Sequence, residues 1–363
     1  MSHATDGRRV LLFATVAMLA TGFLATWIGL QIGGAETALW VDDVATPLAA
    51  LTACVLCFRA SARQTGRMRA FWILFGCATA CWTLAELVWG VYALILSEEV
   101  PVPSWADLGY LSAIPLAVAA LVVHPAMTDN RTHRARSVLD GMVIATALLF
   151  VSWTLVLGPL WRSTDLTTLG GLVTLAYPFG DVVIVFFIVL AIRGMTGENR
   201  SALWCLLAAL LVMALSDSTY TYLTEVANYT SSSANLVDAG WFAAYLGIAI
   251  AAFSSGGKVA EMPKVEASRP SLVSLVSPLL TVILALTLAA VEIRLGHHLD
   301  RAAWLMAFGL IALVLTRQGL AVVELLKPVS GTQAGLMARL ADSAQRGTLA
   351  ADALDSDFRA PQR

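Results

Sequence analysis

The stretch FWILFGCATACWTLAELVWGVYALIL, residues 71–96, contains a single charged side chain, Glu86. A helix needs about 20 predominantly apolar residues to cross a hydrocarbon core of about 30 Å, and this stretch is long enough to do so. The stretch therefore predicts a membrane-spanning helix that carries one acid at bilayer depth.

Similar apolar stretches recur along almost the whole chain. Hydrophobic residues make up 58% of the sequence and charged residues 13%, whereas soluble domains are about 25% charged. Mean hydropathy is +0.75. We predict an all-α, polytopic membrane helix bundle with about ten transmembrane helices, at 10–32, 43–60, 70–96, 105–123, 138–160, 172–193, 202–224, 236–253, 272–294 and 302–326.

Basic residues are unevenly distributed between alternate connections, and this predicts the orientation. The connections 59–69, 124–137, 193–201 and 254–271 are rich in Arg and Lys. The alternate connections contain only Arg162, Arg294 and Arg301, three of the 23 basic residues. The positive-inside rule then predicts a multi-pass protein of the cell (cytoplasmic) membrane with both termini in the cytoplasm.

An internal repeat relates two parts of the sequence at an offset of 131 residues. WADLGYLSAIPL (105–116) aligns with LVDAGWFAAYLG (236–247), so that Asp107 matches Asp238. The same offset, without a gap, pairs Glu86 with Asp217 and places every predicted helix in register. Pro47 likewise pairs with Pro178.

The repeat predicts two four-helix membrane units, 9–123 and 140–254. Four spans return the chain to the same side, so the two units share one orientation and form a parallel repeat. The remaining residues divide into a final helix pair at 272–326 and a short cytoplasmic tail at 327–363.

Several acids fall inside predicted spans, where an ionised side chain is costly and normally faces the bundle interior or a water-filled cavity. Glu86 and Asp217 lie at matching depths, and on a helix Trp89 and Tyr220 share their respective faces. Two interpretations remain open: interhelical hydrogen bonds that fix packing, or a polar pocket that opens outward.

Asp107 and Asp238 lie near the starts of their helices, where an acid complements the positive helix end. They either cap these helices or border the same polar, aromatic-rich layer. The candidate ligand-binding residues are Glu86, Trp89, Asp217, Tyr220, Asp181, Tyr177, Asp107 and Asp238. Acids beside aromatic rings predict a small cationic or hydroxylated ligand from the outer side.

Sequence motifs for enzymatic chemistry are absent. The chain has no P-loop, GxSxG, HExxH or dinucleotide fingerprint. We therefore expect no catalytic residues, no cofactor, no metal site and no nucleic-acid partner. The expected surroundings are the lipid bilayer, and the oligomeric state is left open.

Three motifs, PSWADLGYL (103–111), YPFGD (177–181) and LVLTRQGLAVVEL (313–325), resemble the multi-helix membrane region of actinobacterial GGDEF/EAL cyclic-di-GMP signalling proteins. The resemblance implies a sensor region, with Arg317–Gln318 at the start of its signalling helix. No GGDEF or EAL motif follows Leu326. We expect a non-enzymatic membrane sensor or partner-binding module with a cytoplasmic signalling partner; the alternative is a small-molecule or ion transporter.

Overall fold

The computed structural model describes residues 2–127, 131–163, 167–194, 201–226, 234–255, 272–294 and 298–326. Within these ranges the regular structure is entirely helical. The α-helices are α1 Ser2–Gly29, α2 Ala35–Ala62, α3 Gly66–Gly90, α4 Trp105–Val123, α5 Arg131–Ser152, α6 Gly158–Ser163, α7 Leu169–Gly194, α8 Ser201–Val226, α9 Asp238–Ser254, α10 Leu272–Arg294 and α11 Arg301–Leu326. The π-helical segment Val91–Leu96 continues α3, and a second one, Trp153–Leu157, joins α5 to α6.

Each predicted span overlaps a helix of this set, although the predicted span 138–160 runs from α5 through Trp153–Leu157 into α6. The predicted bounds of α4 and α10 agree with the structure to the residue. Eight helical segments in the described part of the chain are long and apolar enough to cross a membrane, whereas α9 is apolar but only 17 residues long. The chain is therefore a multi-pass helical membrane protein. The predicted tail, 327–363, lies outside the described residues.

Six helices close into a ring. Helix α2 packs against α3, α3 against α4, α4 against α7, α7 against α8, α8 against α9, and α9 against α2. Helix α1 packs on α9 and α2 outside this ring, and α5 packs on α7 and α10. The ring lies within Met1–Val314, which forms one compact unit.

Small side chains let the helices of the ring approach closely. Ala113, Ala117 and Ala120 of α4 are fully buried, as is Ala78 of α3. Helix association within a bilayer depends on van der Waals packing, and small residues permit it. Gly109 allows a close approach of α4 to α3, because a Cβ there would lie 2.9 Å from the carbonyl oxygen of Cys81.

Several large aromatic rings pack in series within the core of the ring of helices. We call this set the aromatic column: Tyr245, Trp82, Phe75, Trp72 and Phe71, all buried. Ring centroids are 6.2 Å apart between Tyr245 and Trp82, and 6.5 Å apart between Trp82 and Phe75. Phe71, at the far end, meets the imidazole of His124 at 4.9 Å, just beyond α4.

A second cluster of buried apolar residues lies between α5, α10 and α11, with Phe150 and Leu310 among its members. Asp300 fixes the start of α11 there. It accepts the backbone N–H of Ala303 at 2.8 Å and pairs with Arg162 at 2.8 Å. The indole Nε1–H of Trp153 also donates to its carboxylate.

Candidate functional site

A cavity of about 150 Å³ lies within the ring, on the side where residues 97–104 connect α3 to α4. All six ring helices contribute lining residues, and Val100–Val102 of the connection contribute as well. Trp82 and Tyr245 line the cavity and also belong to the aromatic column, so the two adjoin. A cavity of this volume has room for several water molecules or one compact organic molecule.

The cavity brings together every residue in the candidate set from the sequence. Glu86, Trp89, Asp217, Tyr220, Asp181, Tyr177, Asp107 and Asp238 all line it. Six further acidic or aromatic residues join them: Asp42, Asp43, Trp82, Tyr110, Trp241 and Tyr245. The described lining thus holds seven carboxyl groups and seven aromatic rings, and no Lys, Arg or His.

Glu86 and Asp217 each hydrogen-bond to side chains of neighbouring helices. The phenol of Tyr245 on α9 donates to Oε1 of Glu86 at 2.8 Å, and Tyr110 on α4 also hydrogen-bonds to this carboxyl group. The indole of Trp241 on α9 donates to Oδ1 of Asp217 at 2.6 Å. The interhelical bonds expected under the packing interpretation are present, and the same acids line the cavity.

The rings of Trp89 and Tyr220, which both line the cavity, contact each other. Their centroids are 6.3 Å apart and their planes are inclined at 75°, an edge-to-face contact. Tyr220 also contacts Trp241 at 5.6 Å. The aromatic rings therefore form a continuous wall next to the acids.

Asp107 and Asp238 make the contacts that the capping interpretation predicts. The backbone N–H of Ser104 donates to Oδ2 of Asp107 at 2.5 Å, and that of Asn235 donates to Oδ2 of Asp238 at 2.5 Å. Asp107 also accepts the phenol O–H of Tyr177 from α7. Each acid thus stabilises a helix start while it borders the cavity.

Two pairs of carboxyl groups lie in hydrogen-bonding contact. Asp42 on α2 contacts Asp238 on α9, and Asp181 on α7 contacts Asp217 on α8. Within the described chain, Oδ2 of Asp43 and Oδ2 of Asp181 are buried without a hydrogen-bond partner. Buried polar atoms are normally paired, so these two oxygens can accept further hydrogen bonds from water or a donor in the cavity.

The sequence did contain signals for the residues that were not in the candidate set. Asp42 and Asp43 lie just before Pro47, but the predicted start of the second span at 43 put them at its edge rather than inside it. Tyr245 follows Asp238 by seven residues, which places both on one helix face. Tyr110 and Trp241 are a matched pair of the repeat.

The lining combines hydrogen-bond acceptors with aromatic faces. Carboxyl groups accept N–H donors, and aromatic faces attract cations more strongly when water is excluded. No group of three His, Cys, Asp or Glu residues in the described ranges could hold a metal ion. An organic ammonium group suits both features of this cavity.

No family model, curated protein sequence or solved structure matches the chain. The resemblance to the membrane region of GGDEF/EAL proteins therefore stays a prediction from its short motifs.

Proposed function

We propose that this chain is an integral membrane sensor or partner-binding module of a signalling system, without catalytic activity of its own. Its cavity would bind a small cationic ligand. One observation carries the proposal: seven carboxyl groups and seven aromatic rings line one cavity without a basic side chain among its described lining residues. Such a lining would repel anions and stabilise an organic cation.

We also propose that the ring is a parallel duplication, with α2, α3 and α4 equivalent to α7, α8 and α9. The order of neighbouring helices around the ring supports this pairing. When the two halves are exchanged, the contacts α2–α3, α3–α4 and α4–α7 become α7–α8, α8–α9 and α9–α2. Trp89 and Tyr220, which match in sequence, touch each other. Residues related by a twofold axis can touch only beside that axis.

Two close helix approaches support the same duplication. Gly109 lies against Ala85, and Gly240 lies against Ser216, so both partners are displaced by the repeat offset. Tyr110–Glu86 and Trp241–Asp217 are likewise matched acid–aromatic pairs. Among the described helices α5 packs on α7 and α10, whereas α1 packs on α2 and α9, and this difference marks where the two halves diverge.

We propose that the cavity faces the outer side of the cell membrane and that both termini lie in the cytoplasm. A cysteine that replaces exposed Glu98, between α3 and α4, should react with an impermeant maleimide in intact cells. A cysteine that replaces exposed Thr65, before α3, should react only after the membrane is opened. Labelling of the Thr65 position in intact cells would reverse the orientation.

The output would pass through α11 and the residues after it to a cytoplasmic partner. This step rests on the resemblance of LVLTRQGLAVVEL to a signalling helix. A GGDEF, EAL or kinase protein encoded by a neighbouring gene would support it.

A transporter is the second candidate, because a parallel repeat with acids at mid-helix depth also suits transport. Proteoliposomes supplied with an external radiolabelled amine can separate the two functions. A sensor should bind the amine at the cavity without net uptake, whereas a transporter should accumulate it or exchange it. Uptake that requires Glu86 would replace the sensor proposal with the transporter.

The double variant Glu86→Gln, Asp217→Asn should fold but bind an organic cation at least about 30-fold more weakly. The amides keep the shape of the side chains and can still accept bonds from Tyr245 and Trp241. They remove two negative charges. Tryptophan fluorescence during titration with n-butylammonium would measure the affinity, since Trp89 and Trp241 line the cavity.

The control is a matched pair away from the cavity, Glu36→Gln with Asp300→Asn, which should leave the affinity unchanged. If the Glu86, Asp217 variant folds and binds the probe as tightly as the original chain, the ligand-site proposal is wrong.

A further inference from the structure

We infer that a cation enters the cavity in exchange for protons shared within two carboxyl pairs. The pairs are Asp42 with Asp238 and Asp181 with Asp217. This inference rests on the proposed cation site and adds its mode of regulation. The ligand class is a primary organic ammonium ion. Its binding would couple to pH.

The first carboxyl pair joins α2 to α9. Asp42 and Asp238 are buried and in hydrogen-bonding contact. Two carboxylates without a proton would repel each other and have no donor between them, so a contact of this kind requires one shared proton. Thr46 donates to Oδ1 of Asp42 at 3.3 Å and Asn235 donates to Oδ2 of Asp238, so neither contact replaces that proton between the two acids.

The second pair joins α7 to α8 in the same way. Asp181 contacts Asp217, whose Oδ1 already accepts the indole N–H of Trp241. Oδ2 of Asp181 is buried and has no partner in the described protein. Among the described lining residues, the other titratable groups around the two pairs are acids and phenols: Asp43, Glu86, Asp107, Tyr110, Tyr177, Tyr220 and Tyr245.

A primary ammonium group can take over the role of these protons. It supplies three N–H donors and one positive charge, whereas the shared proton supplies one bridge per pair. The unpartnered oxygens of Asp43 and Asp181 offer acceptors for the additional donors. When the cation binds, the O–H bond of a pair breaks, the proton leaves to water, and both carboxylates are stabilised by the ammonium charge.

Glu86 lies close enough to both pairs to interact electrostatically with acids on each side. It interacts with Asp43 on the α2 side and with Asp217 on the α8 side. A cation that binds beside Glu86 therefore lowers the free-energy cost of removing a proton from either pair. The number of protons released per cation should lie between one and two.

Binding of n-butylammonium to the full-length chain in detergent should strengthen as pH rises. Each proton released makes the apparent Kd fall about tenfold per pH unit, across the range where the pair titrates. Titration calorimetry in two buffers of different ionisation enthalpy counts the protons directly. The uncharged analogue 1-butanol should release none.

Asp42→Asn and Asp181→Asn test each pair separately. The amide NH₂ can still donate to the partner carboxylate, but it has no proton to exchange. Each variant should lower the proton count, and both together should abolish the pH dependence while some cation binding persists. Asp300→Asn, away from the cavity, should leave the proton count unchanged.

The wild-type measurement decides the inference even if a variant fails to fold. Proton release on n-butylammonium binding supports the exchange. Binding that is independent of pH, without proton release, overturns the exchange and leaves the proposed cation site standing. No binding at any pH overturns both.

Discussion

Replacement of Phe75 with alanine should destabilise the protein by about 3–5 kcal/mol. Phe75 is fully buried in the aromatic column, where its ring contacts those of Phe71, Trp72 and Trp82. Removal of the ring leaves a void among stiff neighbours that cannot close it. In a bilayer the loss is mainly of packing, which is what holds transmembrane helices together.

Phe308→Ala is the matched control, because the Phe308 side chain on α11 is 62% exposed and faces the surroundings of the bundle. Its removal should change stability by less than about 1 kcal/mol. Thermal unfolding in the same detergent, followed by near-ultraviolet circular dichroism, would measure both variants. Equal melting temperatures for Phe75→Ala and Phe308→Ala would show that the aromatic column does not stabilise the ring of helices.

The substitution Gly109→Leu should also destabilise the protein, since it forces α4 away from α3. A Cβ at this position would lie 2.9 Å from both the carbonyl oxygen of Cys81 and the Cβ of Ala85. Neither atom belongs to a flexible side-chain end, so a helix must move. Overpacking of this kind costs about 1–3 kcal/mol, and separation of two ring helices should also disturb the cavity.

The equivalent position in the other half should respond less. At Gly240 an added Cβ would meet Oγ of Ser216, a side-chain end that can rotate away. Gly240→Ala should therefore cost less than Gly109→Ala, and Ser216→Gly should rescue it. Gly309→Ala, where nothing lies within 4 Å, should be neutral or stabilising. A Gly109→Leu variant that unfolds like Gly309→Ala would refute the close α3–α4 contact.

Much of the helical architecture could be predicted because the length of each apolar stretch determines what it can do in a bilayer. Ser104 and Asp107 mark the start of α4 in the sequence and in the structure. The start of α2 was less predictable. Glu36, Asp42 and Asp43 make its first turns polar, so hydropathy places the boundary at 43, whereas the helix begins at Ala35.

The candidate site was predictable where a local pattern marks it. Glu86 and Asp217 stand out as acids in apolar helices, and the repeat links them. Asp42 could not be recognised as a partner of Asp238, because sequence spacing relates residues on one helix but does not say which helices are neighbours. The contact of α2 with α9 closes the ring and makes that pair. Whether these residues bind a ligand stays a prediction.

The aromatic column has an electrical consequence. Its packed rings are mostly apolar in the described core, and a layer of this kind excludes water and should insulate. A membrane voltage of 100 mV is worth about 2.3 kcal/mol per elementary charge that crosses it, and the drop falls mainly across the layer that excludes water. A hydrated cavity above the column would share the voltage of the solution that it faces. Charge could then enter and leave the cavity without doing work against the membrane potential and without discharging it.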